Sequence, residues 1–286
     1  MNAGATMAFM RNWEFAKGHG TMNDFVLLKD RTNSTELSPQ DVRYLCDRRA
    51  GIGGDGVIRA VWAKYMPSWT GDPNMWFMDY RNSDGSVAEM CGNGLRVFGH
   101  FLLDENLADG PDIQVATRAG QRDVAEMNDE LFRAGIGHVQ VASQPTHVSL
   151  DGVEYEATTV DVGNPHAVVF LPADVDLESL DLSHPPRFDT RVYPAGTNIE
   201  FVRVHSDRSL SMRVFERGSG ETMSCGTGVV ATAAAQGARL GEQGRFGVDV
   251  PGGHLEVELD DSMAHLTGPA VIVAHGSVVL PDEAAR

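Results

Sequence analysis

Two ten-residue stretches, 82–91 and 216–225, constrain this chain more than any other feature. Each opens on a polar or acidic residue, Asn82 or Glu216, and closes on a cysteine nine positions later, Cys91 or Cys225. Each cysteine leads into a turn of small residues, Gly92-Asn93-Gly94 in one case and Gly226-Thr227-Gly228 in the other. An apolar run follows at once, over 95–103 and over 229–235. Runs of this kind suit a buried helix, so the pattern predicts a cysteine at the N-terminus of each of two helices. There the unpaired N–H groups and the positive dipole end stabilise a thiolate. Two such cysteines in one chain point to paired thiol acid–base chemistry.

The order of features around them also repeats. Asn164 and the run 166–170 parallel Asn23 and the run 25–28, at an offset of 141 residues. Asn198 and the run 199–202 parallel Asp55 and 57–61 at an offset of 143, and the two cysteines lie 134 apart. Features in the same order at nearly constant offset indicate a duplicated unit: strands, one central apolar helix, then more strands. Strands are expected at 25–28, 57–61, 75–80, 113–117, 121–126, 131–141, 153–162 and 270–274. A loop is expected over Gly18–Asp24, and a helix starting at Ser38-Pro39. Residues 51–56 fit the dinucleotide pattern G-x-G-x-x-G, but they follow the charged run 46–49 rather than an apolar strand. They are therefore read as a tight loop. The pattern relaxes near 143–145, which places one domain at 12–135 and a second at 136–270, with 271–280 packing back on the first.

Composition removes several function classes. Basic residues number 23 against 40 acidic, a formal charge of −17, so no basic footprint for nucleic acid exists. No apolar run approaches the roughly 20 residues that span a bilayer, and the leader over 1–11 lacks a basic n-region, so it does not read as a signal peptide. It reads as a frayed extension with Met7 or Met10 as alternative starts, and the tail over 281–286 as disordered. Three cysteines, Cys46, Cys91 and Cys225, make a disulfide framework improbable and a reducing cytoplasm the expected compartment. No metal-ligand spacing is present, and Cys46 reads as a small buried hydrophobe.

Two such units facing each other would put one thiol on either side of a cleft. That arrangement suits taking a proton from one face of a carbon and returning one to the other. An amino-acid α-proton is a very weak acid, so the carbanion needs electrostatic help. N–H groups at the two helix starts could bind the α-carboxylate and supply it. The helix dipole is expected to lower each thiol toward working pH, with the two titrating as a coupled pair.

These residues closely resemble diaminopimelate epimerase from about Phe15 to about Ala274. The resemblance rests on Asn82-Ser-Asp-Gly-Ser with Cys91-Gly-Asn-Gly-Leu-Arg96, on Gly163-Asn-Pro-His166 and Gly196-Thr-Asn198, and on Glu216-Arg217-Gly with Cys225-Gly-Thr-Gly228. It implies an α+β fold of two pseudo-symmetric domains, each a curled, mostly antiparallel β-sheet or barrel around a central helix. It implies a homodimer that interconverts LL- and meso-2,6-diaminopimelate without any cofactor or metal, for lysine and peptidoglycan synthesis. Carried over, Cys91 and Cys225 correspond to the acid–base pair, and Gly92, Asn93, Gly226 and Thr227 to the α-carboxylate cradle. Asn23, Asn82, Asn164, Asn198 and Arg217 correspond to substrate contacts, chiefly at the distal amino-acid end, and His166 and Glu216 to residues near the thiols and the α-amino group. Gly56 stands where many members carry Gln, Val97 where Cys is frequent, and Met22 where Gly is usual. Proline racemase-like enzymes share the two thiols but have His after the first Cys-Gly, where this chain has Asn93.

Overall fold

The computed structural model describes residues 11–128, 130–260 and 263–280. The leader over 1–10 and the tail over 281–286 lie outside the described residues. The first half of the chain contributes β1 (Arg11–Gly20), β2 (Asn23–Lys29), α1 (Pro39–Cys46), β3 (Gly56–Trp62), β4 (Trp76–Asn82), α2 (Gly92–Asp104), β5 (Asp112–Thr117), β6 (Gly120–Asn128) and β7 (Leu131–Gly137). The second half opens with β8 (Gln140–Leu150), β9 (Val153–Asp161), β10 (Pro165–Phe170), β11 (Arg187–Phe188) and β12 (Asn198–Ser206). It continues through β13 (Ser209–Glu216), β14 (Gly220–Thr222), α3 (Gly226–Leu240), β15 (Gly244–Val250), β16 (Gly253–Leu259), β17 (Ala264–Pro269) and β18 (Val271–Leu280).

Strand pairing repeats step for step. β1 lies antiparallel to β2, β2 parallel to β3, β3 antiparallel to β4 and β4 parallel to β5, after which β5, β6 and β7 form an antiparallel meander. In the second half β9, β10, β12, β13, β15, β16 and β17 pair in the same sequence of senses. The two series join where β17 pairs antiparallel with β7, giving one curled sheet whose outer strands do not close on each other. The strand following each series crosses to the other: β8 pairs with β9, and β18 pairs with β1.

Register makes the duplication residue-specific. Phe25 pairs with Gly56 across β2 and β3, while His166 pairs with Asn198 across β10 and β12. Phe25 therefore corresponds to His166, Gly56 to Asn198, and Ile58 to Glu200. This refines the expected match of Asn198 with Asp55 by one residue.

α2 and α3 are buried almost all round, as their uninterrupted apolar runs require. Leu95, Phe98 and Phe101 of α2 share one apolar cluster with Val229, Val230 and Ala233 of α3, so the two halves have a continuous core. Ser38 caps α1 in a capping box with Asp41, and Pro39 occupies the first turn. Three local expectations change. Gly18, His19 and Gly20 belong to β1, and the turn is only Thr21 and Met22, both at positive φ (51° and 64°). The segment expected as a single stretch at 131–141 is two strands, and β8 runs straight through 143–145 with a register shift between Val141 and Pro145. Irregular pairing, not a break, is what loosened the pattern there.

Candidate active site

Both cysteines sit where the duplicated motif predicts, as the N-cap residues of α2 and α3. Cys91 adopts extended backbone (φ −141°, ψ 121°), and its sulfur accepts from the Gly94 N–H at 3.4 Å, the role Ser or Thr usually fills. Cys225 is also extended (φ −118°, ψ 111°), with its sulfur 3.5 Å from Thr227 Oγ1. The two helix starts abut. A Cβ built on Gly92 would lie 3.7 Å from Gly226 Cα, and one on Gly226 only 3.0 Å from the Asn93 nitrogen. Glycine at both N1 positions is therefore what lets the two positive helix ends meet.

A polar seam ties the halves together around that contact. Asn93 Nδ2 donates to Ser224 O (3.2 Å), Ser224 Oγ (3.2 Å) and Asn23 Oδ1 (3.3 Å), and Thr21 Oγ1 is 2.7 Å from Ser224 Oγ. Asn23 Oδ1 also accepts from the Cys91 thiol at 3.7 Å, while its Nδ2 donates to Asp55 at 2.8 Å. Asp55 is held by Arg48, which grips Asp24 through both terminal nitrogens. Burial would raise the Asp24 carboxyl, but hydrogen bonds from Arg48 and Lys17 hold it well below the ordinary carboxylate range. This network fixes the Asn23 amide with its oxygen toward Cys91.

On the other side, His166 is fully buried and lies between Glu200 (Nδ1 to Oε1, 2.7 Å) and Asn164 (Nε2 to Oδ1, 3.1 Å). Asn164 Nδ2 donates to Thr227 Oγ1 at 3.4 Å, which brings the chain to Cys225. Glu216 accepts from the Thr222 hydroxyl. Burial raises its carboxyl, opposed by hydrogen bonds from Thr222 and Cys225, so Glu216 faces the second thiol. Asn198 accepts the Arg217 backbone N–H at 3.0 Å and donates to Pro165 O at 3.3 Å. Arg217 itself is exposed, with Nη1 3.4 Å from Ala195 O and no ion pair to Glu216 among the described residues. Asn82 stands apart: its side chain bonds locally to Ser86 Oγ at 3.0 Å, beside Gly56 on the neighbouring strand.

The thiols do not behave as the helix dipole alone would dictate. Burial pushes Cys91 up to about 11, although the Gly94 and Asn93 N–H groups pull the other way. Burial also drives Cys225 well above the usual thiol range, and Glu216 and Glu200 add to it. The expected lowering is thus reversed, because desolvation of a thiolate and two nearby carboxylates outweigh half a dipole charge. Sequence reasoning missed Glu200, Asp55 and Arg96. Arg96 is fully buried in α2 with no hydrogen-bond partner for any guanidinium nitrogen among the described residues. An acidic residue inside the apolar run 199–202 was the available signal for Glu200.

At the far end of α2, Asp104, Glu105 and His275 come together. The imidazole offers Nε2 to Asp104 (3.1 Å) and Nδ1 to Glu105 (3.6 Å), the geometry of an ion pair rather than of ligands converging on one ion.

The family described as diaminopimelate epimerase matches residues 15–142 and 158–280. The chain belongs to that family. It is 45% identical over 277 residues to a diaminopimelate epimerase of Corynebacterium glutamicum (strain R), covering 92% of this chain and 97% of that protein. It is 46% identical over 272 residues to the Thermobifida fusca (strain YX) diaminopimelate epimerase, covering 93% and 98%. Among solved structures, a hydroxyproline epimerase from Agrobacterium vitis superposes with a TM-score of 0.69 at 14% identity, covering 97% of this chain and 95% of that one. A Bacillus anthracis phenazine biosynthesis protein of the PhzF family gives 0.67 at 14% identity, covering 95% and 100%. At those identities the structures establish the fold: mostly sheet, two buried helices, the sheet curled and open.

Proposed function

We propose that this chain epimerises LL- and meso-2,6-diaminopimelate by a two-base mechanism in which Cys91 and Cys225 act on opposite faces of the α-carbon. The observation that carries this reading is the pair of cysteines N-capping two helices whose first glycines touch. A carboxylate lying across that junction meets two positive helix ends and the first-turn N–H groups of Gly92, Asn93, Gly226 and Thr227, none of which has an intrahelical acceptor. The same N–H groups stabilise the charge that develops when the α-proton leaves. Glu216, which meets the Cys225 thiol, and His166 behind Asn164 receive the α-amino group, and Asn23, Asn82, Asn164, Asn198 and Arg217 contact the substrate chiefly at its distal amino-acid end. The chain works as a homodimer in the cytoplasm, in lysine and peptidoglycan precursor synthesis, with one thiol from each of two units that divide near residue 135.

The raised thiols fit this chemistry. A thiolate whose conjugate acid sits at about 11 is a stronger base toward a weak carbon acid than an ordinary one. Forming it at pH 8 costs about 4 kcal/mol, which the ammonium group of a bound amino acid offsets. Incubation with LL-diaminopimelate in deuterium oxide tests the proposal: solvent deuterium should enter the α-position as the meso isomer accumulates. Meso product free of deuterium would refute proton exchange through these thiols.

A further inference from the structure

A buried carboxylate stands at one end of an unbroken polar chain that finishes on Cys225. Glu200 Oε1 is 2.7 Å from His166 Nδ1, His166 Nε2 is 3.1 Å from Asn164 Oδ1, Asn164 Nδ2 is 3.4 Å from Thr227 Oγ1, and Thr227 Oγ1 is 3.5 Å from Cys225 Sγ. Glu200 is fully buried, and its second oxygen has no hydrogen-bond partner among the described residues. The fold does not require a charge there. Register equates Glu200 with Ile58, and each approaches the third residue of the helix behind it. A Cβ on Gly94 would meet Ile58 Cδ1 at 3.1 Å, and one on Gly228 would meet Glu200 Oε1 at 2.7 Å. The first half fills the site with an isoleucine and puts Phe25 where the second half has His166. A carboxylate–imidazole pair at such a position costs desolvation that the Ile58–Phe25 counterpart does not.

Building on the two-cysteine reading, we propose that Glu200 is a positioning residue that sets the direction of the last hydrogen bond in this chain, and so whether Cys225 serves as base or acid. The chain has two self-consistent proton arrangements. In one, His166 is an imidazolium donating to Glu200 and to Asn164 Oδ1. Asn164 Nδ2 then donates to Thr227, whose hydroxyl is left to donate to a Cys225 thiolate. In the other, His166 keeps only its Nδ1 proton, and the Asn164 amide turns over to donate to the bare Nε2. Thr227 then donates to Asn164 Oδ1 and accepts from a Cys225 thiol. Both arrangements hold the same number of protons, one of them moved from His166 Nε2 to Cys225 Sγ. Glu200 favours the first by pairing with the imidazolium. The other groups facing this cluster are the Glu216 carboxylate from β13 and, beside Glu200, the Tyr193 phenol.

The test is titration of Cys225 by magnetic resonance in the full-length Cys46→Ala, Cys91→Ala protein, where it is the one remaining thiol and can be isotope-labelled at Cβ. Thr227→Val should move the midpoint upward by about one unit, a tenfold loss of thiolate, and Thr227→Ser should leave it in place. Glu200→Gln should also move it upward, although removing a negative charge from beside a thiol would by itself move it down. With Thr227→Val already present the chain is cut, and Glu200→Gln should then move the midpoint downward. In the enzyme with all three cysteines, the pH at which kcat/KM levels off should follow the same order. A midpoint that falls or stays put in Glu200→Gln with Thr227 intact overturns the proposal, as does equal behaviour of the Val and Ser variants. Failure of the two-cysteine reading would show separately, as continued epimerisation by the Cys91→Ala protein.

Discussion

Arg217→Met should raise KM for diaminopimelate by about 10- to 150-fold while leaving the melting temperature nearly unchanged. A substrate with two amino-acid ends differs from a monocarboxylic amino acid by its distal carboxylate, and recognising that group calls for a cation. The structure leaves the Arg217 tip free for the task. The Arg217 backbone is tied to Asn198 at 3.0 Å, and its aliphatic stem lies over Gly196, where a Cβ would come within 3.1 Å of Arg217 Cδ. Gly196 also has φ +83°, so it suits both the loop and the crossing stem. The guanidinium has only Ala195 O, at 3.4 Å, and forms no ion pair with the neighbouring Glu216 among the described residues. Its planar fork can take a carboxylate through two hydrogen bonds, which lysine cannot reproduce. A charge-assisted contact of that kind contributes roughly 1.5–3 kcal/mol, the stated range in affinity. Loss of one long hydrogen bond at an exposed position should change stability by less than about 0.5 kcal/mol. Steady-state kinetics beside thermal melting separates the two quantities. An unchanged kcat/KM in the Met variant would show that Arg217 does not select the substrate.

Cys91→Ala and Cys225→Ala should each abolish epimerisation with the fold intact by circular dichroism, and substantial turnover by either would remove the two-base mechanism. Cys46→Ala should leave activity unchanged and flatten the alkaline limb of stability. Burial raises the Cys46 thiol from an ordinary 9.0 to about 12, so the folded state holds its proton longer than the unfolded chain and loses stability as pH rises through that window. The loss is about 1.4 kcal/mol by pH 10, and denaturant melts at pH 8 and pH 10 measure it. Asp79→Ala should destabilise by about 3 kcal/mol, because it removes a buried carboxylate shared by Arg118 and by Arg59, which is 3% exposed, donates to Asp79 at 2.8 Å and keeps only Asp30 and Thr35 O; a urea midpoint close to that of the parent would contradict this. Dialysis against a chelator should leave turnover intact, and activity restored only by added metal or pyridoxal phosphate would refute the cofactor-free reading.

Much of the site was legible because its chemistry is written in short local patterns. Cys-Gly-x-Gly ahead of an apolar run is itself a helix start, so the amino-acid sequence alone places both N-caps. Asn164, His166 and Thr227 could be singled out for the same reason. What escaped depends on partners distant in sequence. Glu200 gains its meaning from His166 on the adjacent parallel strand, and Asp55 from Asn23 across a pairing that a string of residues does not display. The sign of the thiol shifts escaped too, because a local motif reveals the dipole and not the depth of burial. Strand edges were lost where glycine suggested turns: Gly18 lies in β1, where an added Cβ would meet Val271 O at 2.8 Å, so it is there for close packing rather than for a bend.

Duplication explains the backbone of this site, and departures from it explain the chemistry. Each half supplies a thiol, a helix end and an asparagine two residues before the corresponding strand position, Asn23 and Asn164. Beyond that the halves diverge. Around Cys91 the neighbours are the neutral Asn23, Asn93 and Ile58, with the Arg96 guanidinium buried in the same helix and the Glu216 carboxylate within electrostatic reach. Around Cys225 they are Thr227, Glu216 and Glu200, with His166 one step further back behind Asn164. Two identical half-sites would share the proton equally and hold an amino acid in either orientation. Burial raises both thiols, the Glu216 carboxylate bears on both of them, and Glu200 bears on Cys225 alone. In the proposed two-cysteine mechanism, it is this charge asymmetry laid over a symmetric scaffold that would tell the two thiols, and the two ends of a bound amino acid, apart.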